Sequence, residues 1–231
     1  MAGSVPPQEP PSKPRYAPAE RIALATALTE VGPDARTLCP GWASRDLAAH
    51  VVIRERRPLA AAGILFPPLA KRTKRIMNTT AAGDYRALVD LVRHPSAWGP
   101  ARFAAVEEAM NLVEFFVHTE DVRRAQPGWL RRPTGPGFDA ALWRRVPTLA
   151  KERFARFPAM IPGPRLDPAT TTVLVQAGGH GQTRVGKGTT TVTITGTPPE
   201  LVLFLFGRTS VAEVVVDGPP EIVETLKSPG G

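Results

Sequence analysis

The spacing of apolar residues changes once along this 231-residue chain, and that change constrains the fold more than any other feature. Up to about residue 157, apolar side chains recur at a period near 3.6, which marks amphipathic helices. From Thr170 onward, threonine and β-branched residues dominate, and Thr190 to Thr195 alternates with a period of two, as a half-buried strand does. Between the two textures lies PAMIPGPRLDP, whose prolines and glycine interrupt either pattern. A boundary is therefore placed at about residue 162. The chain reads as an α+β two-part molecule, with a helical bundle over 18–162 and a small α+β domain over 163–231. The proline-rich residues 1–17 read as a disordered tail. A domain as small as the second is marginal alone, so it is expected to pack on the bundle.

Within the first part, Ile22, Leu24, Ala25, Leu28 and Val31 form a helical stripe stopped by Gly32-Pro33. Ser44 is a candidate N-cap for a second helix that turns Leu47, Ala48, Val51 and Val52 inward and ends or bends at Pro58. A basic helix is expected around Lys71 to Thr80, and another opening at Asp84. The strongest helix spans Ala104 to Ala125, with Val106, Met110, Val113, Val117 and Val122 as its apolar stripe; Gln126-Pro127-Gly128 closes it. A further helix is expected from Phe138 to about Phe157. In the second part, strands are expected at Thr170–Gln176, Gln182–Val185, Thr190–Thr195 and Val211–Val216. Prolines open helices at Pro198 and Pro219-Pro220.

Hydrophobic residues make up 42% and charged residues 22%, enough for a packed core. No apolar run approaches the roughly 18–20 residues that a bilayer requires. The N-terminus has no apolar signal region, so a cytoplasmic location is expected. Cys39 is the single cysteine, which excludes an internal disulfide and a cysteine-rich zinc site; it reads as a small buried hydrophobe. The net charge of +8 is spread along the chain without interleaved aromatics, which argues against a nucleic-acid surface and for solvated helix faces. His94 and His180 sit among loop residues and read as exposed and unengaged. Trp42 and Trp129 read as packing at the bundle ends.

The chemistry-bearing feature is AMNLVEFFVHTEDVRRA. Glu114 and His118 are four residues apart on one helix, so their side chains share a face and can share one divalent cation. Burial of such a carboxylate needs a cation or a hydrogen-bond partner. Asp121, three residues past His118, is placed to orient an imidazole from behind. His50, on the inward face of the second helix, is a candidate third ligand, since bundles project ligands from facing helices. Spacing alone does not decide whether His50 and His118 converge.

The segments CPGWASRDLAAHVVIRERRP and NLVEFFVHTEDVRRAQPGW, in that order, resemble the actinobacterial metal-binding proteins related to mycothiol-dependent maleylpyruvate isomerase. The matching positions are Trp42, Asp46, Leu47 and His50, then Glu114 and His118. The resemblance implies a DinB-like up-down four-helix bundle with His50, Glu114 and His118 holding a divalent metal, zinc by expectation. It implies a C-terminal domain of sterol-carrier-like fold, from PPELVLFLFGRTS. It also implies a catalytic role for Arg208, as a clamp on an anion. Three ligands leave a position open, the catalytic rather than the structural zinc pattern. The implied activity is a metal-dependent thiol transferase or isomerase, with mycothiol as thiol cosubstrate and an electrophilic small molecule as partner; the maleylpyruvate reaction itself is not implied. A non-catalytic metal-binding regulatory or interaction module stays open beside it, and the oligomeric state is not legible.

Overall fold

The computed structural model describes residues 14–57, 67–96, 104–154 and 166–228. The boundary expected near residue 162 and nearly all of the tail lie outside these residues. Helix α1 spans Ala17–Val31 and α2 spans Ser44–Arg56. A 3-10 turn at Pro67–Leu69 leads into α3 at Ala70–Ala81, followed by α4 at Tyr85–Arg93 and the long α5 at Ala104–Arg123. Helix α1 packs along α5 and against α4, while α2 packs on α3 and α4.

Helix termini follow local chemistry. The carboxylate of Asp84 accepts from Ala87 N at 2.7 Å and starts α4. Gly32 ends α1 at φ 80°, and its N–H donates to Leu28 O. The expected cap of α2 is corrected. Ser44 is the first helical residue and its hydroxyl donates to Gly32 O, while Asp46 caps the turn by accepting from Ala43 N at 2.9 Å.

Two stripe residues face outward instead of inward: Ile22 is 46% exposed and Met110 51%. Their places in the interior are taken by polar groups, Arg21 and Asn111. Arg21 is buried and donates to both oxygens of Glu55 and to Glu107 at 2.9 Å, with its guanidinium 4.5 Å from the Phe115 ring centroid. The stretch expected as one helix from Phe138 is broken into α6 at Pro136–Trp143 and α7 at Val146–Phe154. The turn at Arg144-Arg145 lets each half bury its own apolar face.

The C-terminal part holds a four-stranded mixed sheet, so the chain is α+β as expected. Strands β1 (Thr171–Ala177) and β2 (Gly181–Val185) form a tight antiparallel hairpin, β3 (Thr190–Thr195) pairs parallel to β1, and β4 (Val215–Asp217) pairs antiparallel to β3. The order is β2-β1-β3-β4. The last strand is shorter and later than Val211–Val216, because Val211 and Ala212 are used in a turn donating to Arg208 O. Helix α8 (Pro198–Leu205) is buried throughout, and α9 (Pro220–Lys227) ends the fold.

Two apolar cores result. Leu24, Leu28, Leu47, Val51 and Val89 surround Phe115 and Val122 in one. In the other, Leu112, Phe116 and Val117 meet α6, α7, α8 and the inner face of the sheet. Helix α5 thus lies between both, which explains why Phe115 to Val122 is buried on every side. No helix among the described residues is long and apolar enough to cross a membrane.

Candidate metal centre

Helices α2 and α5 bring their polar side chains together across one seam. His50 stands opposite Glu114 and His118, and Arg54, one turn further along α2, stands opposite Met110 and Asn111. Nε2 of His118 lies 3.2 Å from Glu114 Oε1, and Nε2 of His50 lies 3.4 Å from the same oxygen. One ligand atom from each of the three residues falls within 4.8 Å of the others. The structure therefore brings together the residues that spacing alone left separate. Two imidazole nitrogens and a carboxylate oxygen converging on one point suit a divalent cation of zinc type.

Both imidazoles are nearly enclosed, His50 at 9% and His118 at 8% exposure. Their surroundings differ. Burial disfavours charge on His50 and leaves its pKa below the ordinary value. Burial acts the same way on His118, but hydrogen bonds with Asp121, Cys39 and Glu114 outweigh it and hold the imidazole well above the usual range. Burial also works against the charge of Glu114, yet the His118 and His50 rings keep it well below the usual carboxylate range.

Asp121 occupies the position expected of it. Nδ1 of His118 donates to its Oδ2 at 2.9 Å, which turns Nε2 toward Glu114. The carboxylate has no exposed surface. Its pKa is lowered to about 2, because hydrogen bonds from Arg208 and His118 overcome the cost of burial. Arg208 comes from the C-terminal part. After α8, Gly207 at φ 86° reverses the chain, and Arg208 N donates to Leu203 O at 2.9 Å. Its guanidinium then grips Asp121 with Nε at 2.7 Å and Nη2 at 2.6 Å, while Nη1 donates to Phe206 O at 2.7 Å. The anion that the Arg208 guanidinium grips is the Asp121 carboxylate.

Cys39 is buried as expected, and it also belongs to this cluster. Its thiol donates to Asp121 Oδ2 at 3.3 Å and accepts from Arg208 Nη2 at 3.4 Å. Nothing in the sequence near Cys39 signals this, since its partners lie 82 and 169 residues away. Cys39, His118 and Asp121 form a second set of ligand-type atoms within 4.8 Å. Arg208 already supplies the cation there, against both Asp121 oxygens.

Trp42 packs its ring 5.1 Å from that of His50. Beside it, Thr37, Cys39, Pro40 and Trp42 line an open cleft of about 310 Å³. Trp129 lies under the Arg124 guanidinium, whose carbon is 4.6 Å from a ring centroid, and not at the site. His94 is exposed with Nδ1 3.0 Å from Asp90 O, and His180 lies 6.2 Å from the Trp143 ring; neither joins the cluster.

Comparison of the chain with protein-family models, curated proteins and solved structures gives no match.

Proposed function

We propose that the chain binds a divalent metal, zinc by preference, through His50, Glu114 and His118. We propose further that it acts as a metal-dependent thiol transferase or isomerase of the mycothiol-dependent type, built on a DinB-like bundle with a sterol-carrier-like C-terminal domain. The observation that carries the metal reading is the convergence of two Nε2 atoms and one carboxylate oxygen from two helices. The thiol chemistry rests on the sequence resemblance and on the ligand count, which leaves a position for an exogenous group.

A metal so held supplies Lewis acidity, lowering the pKa of a thiol that reaches it so that the thiolate persists at neutral pH. The residues of the chain set the conditions for this. Asp121 holds His118 in the tautomer that presents Nε2, and its negative charge raises the basicity of that ring. Arg208 fixes Asp121 and compensates its buried charge. Glu114 neutralises one of the two positive charges of the cation. Trp42 packs against the ring of His50, and an open cleft lined in part by Thr37, Cys39 and Trp42 lies beside it.

Elemental analysis of the purified protein beside His50→Ala and His118→Ala tests the metal, with about one zinc per chain expected in the wild type only. Cobalt substitution followed by titration with mycothiol tests the thiol. A shift of the cobalt bands supports it, and a metal-loaded protein indifferent to every small thiol contradicts it.

A further inference from the structure

A cavity of about 300 Å³ opens where α5 meets α6 and α8. Phe116 and Glu120 of α5 line it. Glu120 is two residues past His118, more than half a turn of helix, so this cavity and the candidate metal centre lie on opposite sides of α5. The walls carry three arginines, Arg124, Arg131 and Arg132, and three carboxylates, Glu120, Asp139 and Glu200. These charges are equal in number but unequally matched.

Arg124 is locked. Its Nε donates to Glu120 Oε2 at 2.7 Å, and its Nη1 and Nη2 donate to the two oxygens of Glu200 at 2.9 and 2.7 Å. Arg132 is held as firmly by both oxygens of Glu20, at 2.9 and 2.7 Å. The other oxygen of Glu120 accepts from Arg123 at 2.8 Å. Two wall groups of opposite sign are left weakly matched. Asp139 Oδ1 is buried, and no described residue donates a hydrogen bond to it. Arg131 has Nη1 3.7 Å from Glu213 Oε2, beyond hydrogen-bond length, with both side chains about half exposed.

Each of these groups can gain from a ligand. A buried acceptor without a donor costs free energy that an incoming N–H removes. A stretched, exposed ion pair contributes little, so Arg131 can turn to a better-placed carboxylate at small cost. Because both residues border one small cavity, a single small molecule can span them. Phe116, Pro133 and Pro199 complete the wall with apolar surface that suits an aliphatic side chain. A molecule carrying only one charge would satisfy one of the two groups and leave the other as it was.

We propose that this cavity binds an aliphatic α-amino acid, with its ammonium on Asp139 and its carboxylate on Arg131. The site goes beyond the metal reading and is independent of it, since none of its residues is a candidate metal ligand.

The test is calorimetric titration of the full chain with L-leucine, with isoamylamine (leucine without its carboxylate) and with isocaproate (leucine without its ammonium). Amino acids also chelate metals through nitrogen and oxygen, so the chain is first treated with EDTA and dialysed. Leucine is expected to bind at least about 10-fold more tightly than either counterpart. Asp139→Asn keeps the shape and removes the charge, and is expected to weaken leucine binding about 10- to 100-fold. Arg131→Gln is expected to weaken it about 2- to 5-fold, because that group is half exposed. No leucine binding up to about 10 mM overturns the site. Equal affinity for leucine and either counterpart overturns the two-charge ligand, and unchanged leucine affinity in Asp139→Asn overturns the assignment of the ammonium. If Asp139→Asn fails to fold, a leucine Kd in Arg131→Gln equal to that of the wild type overturns the proposal.

Discussion

At the scale of single residues, the site is organised around His118, whose pKa the hydrogen bonds with Asp121, Cys39 and Glu114 hold well above the usual range, favouring a proton on the ring. In the metal-free protein this interaction contributes stability that is fully present below 6.5 and is lost as pH rises through the raised pKa. Zinc at Nε2 must displace that proton, so uptake near pH 7 should release about one proton, and affinity should tighten about tenfold per pH unit until the raised pKa is reached. Calorimetry in two buffers of different ionisation enthalpy measures this directly; a buffer-independent heat contradicts it. Asp121→Asn, which removes the charge behind the imidazole, should weaken zinc binding about 10- to 100-fold. Glu114 and His118 were legible in the sequence, because helical periodicity alone puts them on one face. Asp121 was legible for the same reason. Cys39 was not, since its contacts are made by a loop and by a residue from the other end of the chain.

At the scale of elements, the boundaries were mostly legible where a breaker stands: Gly32-Pro33, Asp84, Pro198 and Pro220 each mark an observed terminus. The misassignments share a cause. Ile22 and Met110 lie on apolar stripes yet are exposed, because Arg21 and Asn111 take the inward positions and satisfy one another's carboxylate partner, Glu55. Periodicity counts apolar residues and is blind to a buried arginine that brings its own counter-charges. The break at Arg144-Arg145 carries no glycine or proline to announce it. The turn after α8 does carry its signal in Gly207, at φ 86°. Gly207→Ala should cost about 1 kcal/mol from the left-handed conformation alone. Because that turn aims Arg208 at Asp121, the variant should also bind zinc more weakly. Urea unfolding and metal titration of the same preparation check both effects; unchanged zinc affinity would show that the turn does not serve the site.

At the scale of the whole molecule, the two textures of the sequence meet on α5, which contributes Phe115 to one core and Phe116 to the other. Arg124, just past its end, is buried and bridges Glu120 at 2.7 Å with Glu200 of α8 at 2.7 and 2.9 Å. Such long-range pairing leaves no trace in local patterns, so the sequence told of two regions without telling how they join. Arg124→Met should cost about 3–5 kcal/mol by leaving buried Glu200 without its guanidinium partner, while Glu120 keeps Arg123. With one helix shared between the cores, far-ultraviolet dichroism and tryptophan fluorescence should still report coincident transitions. Separate transitions would mean that the cores fold independently.

The central claim is that His50, Glu114 and His118 together hold one metal. Zinc content per chain, measured on the wild type beside His50→Ala and His118→Ala after equal dialysis, tests it most directly. The account predicts about one zinc in the wild type and a large loss in each variant, and equal zinc in all three would contradict it.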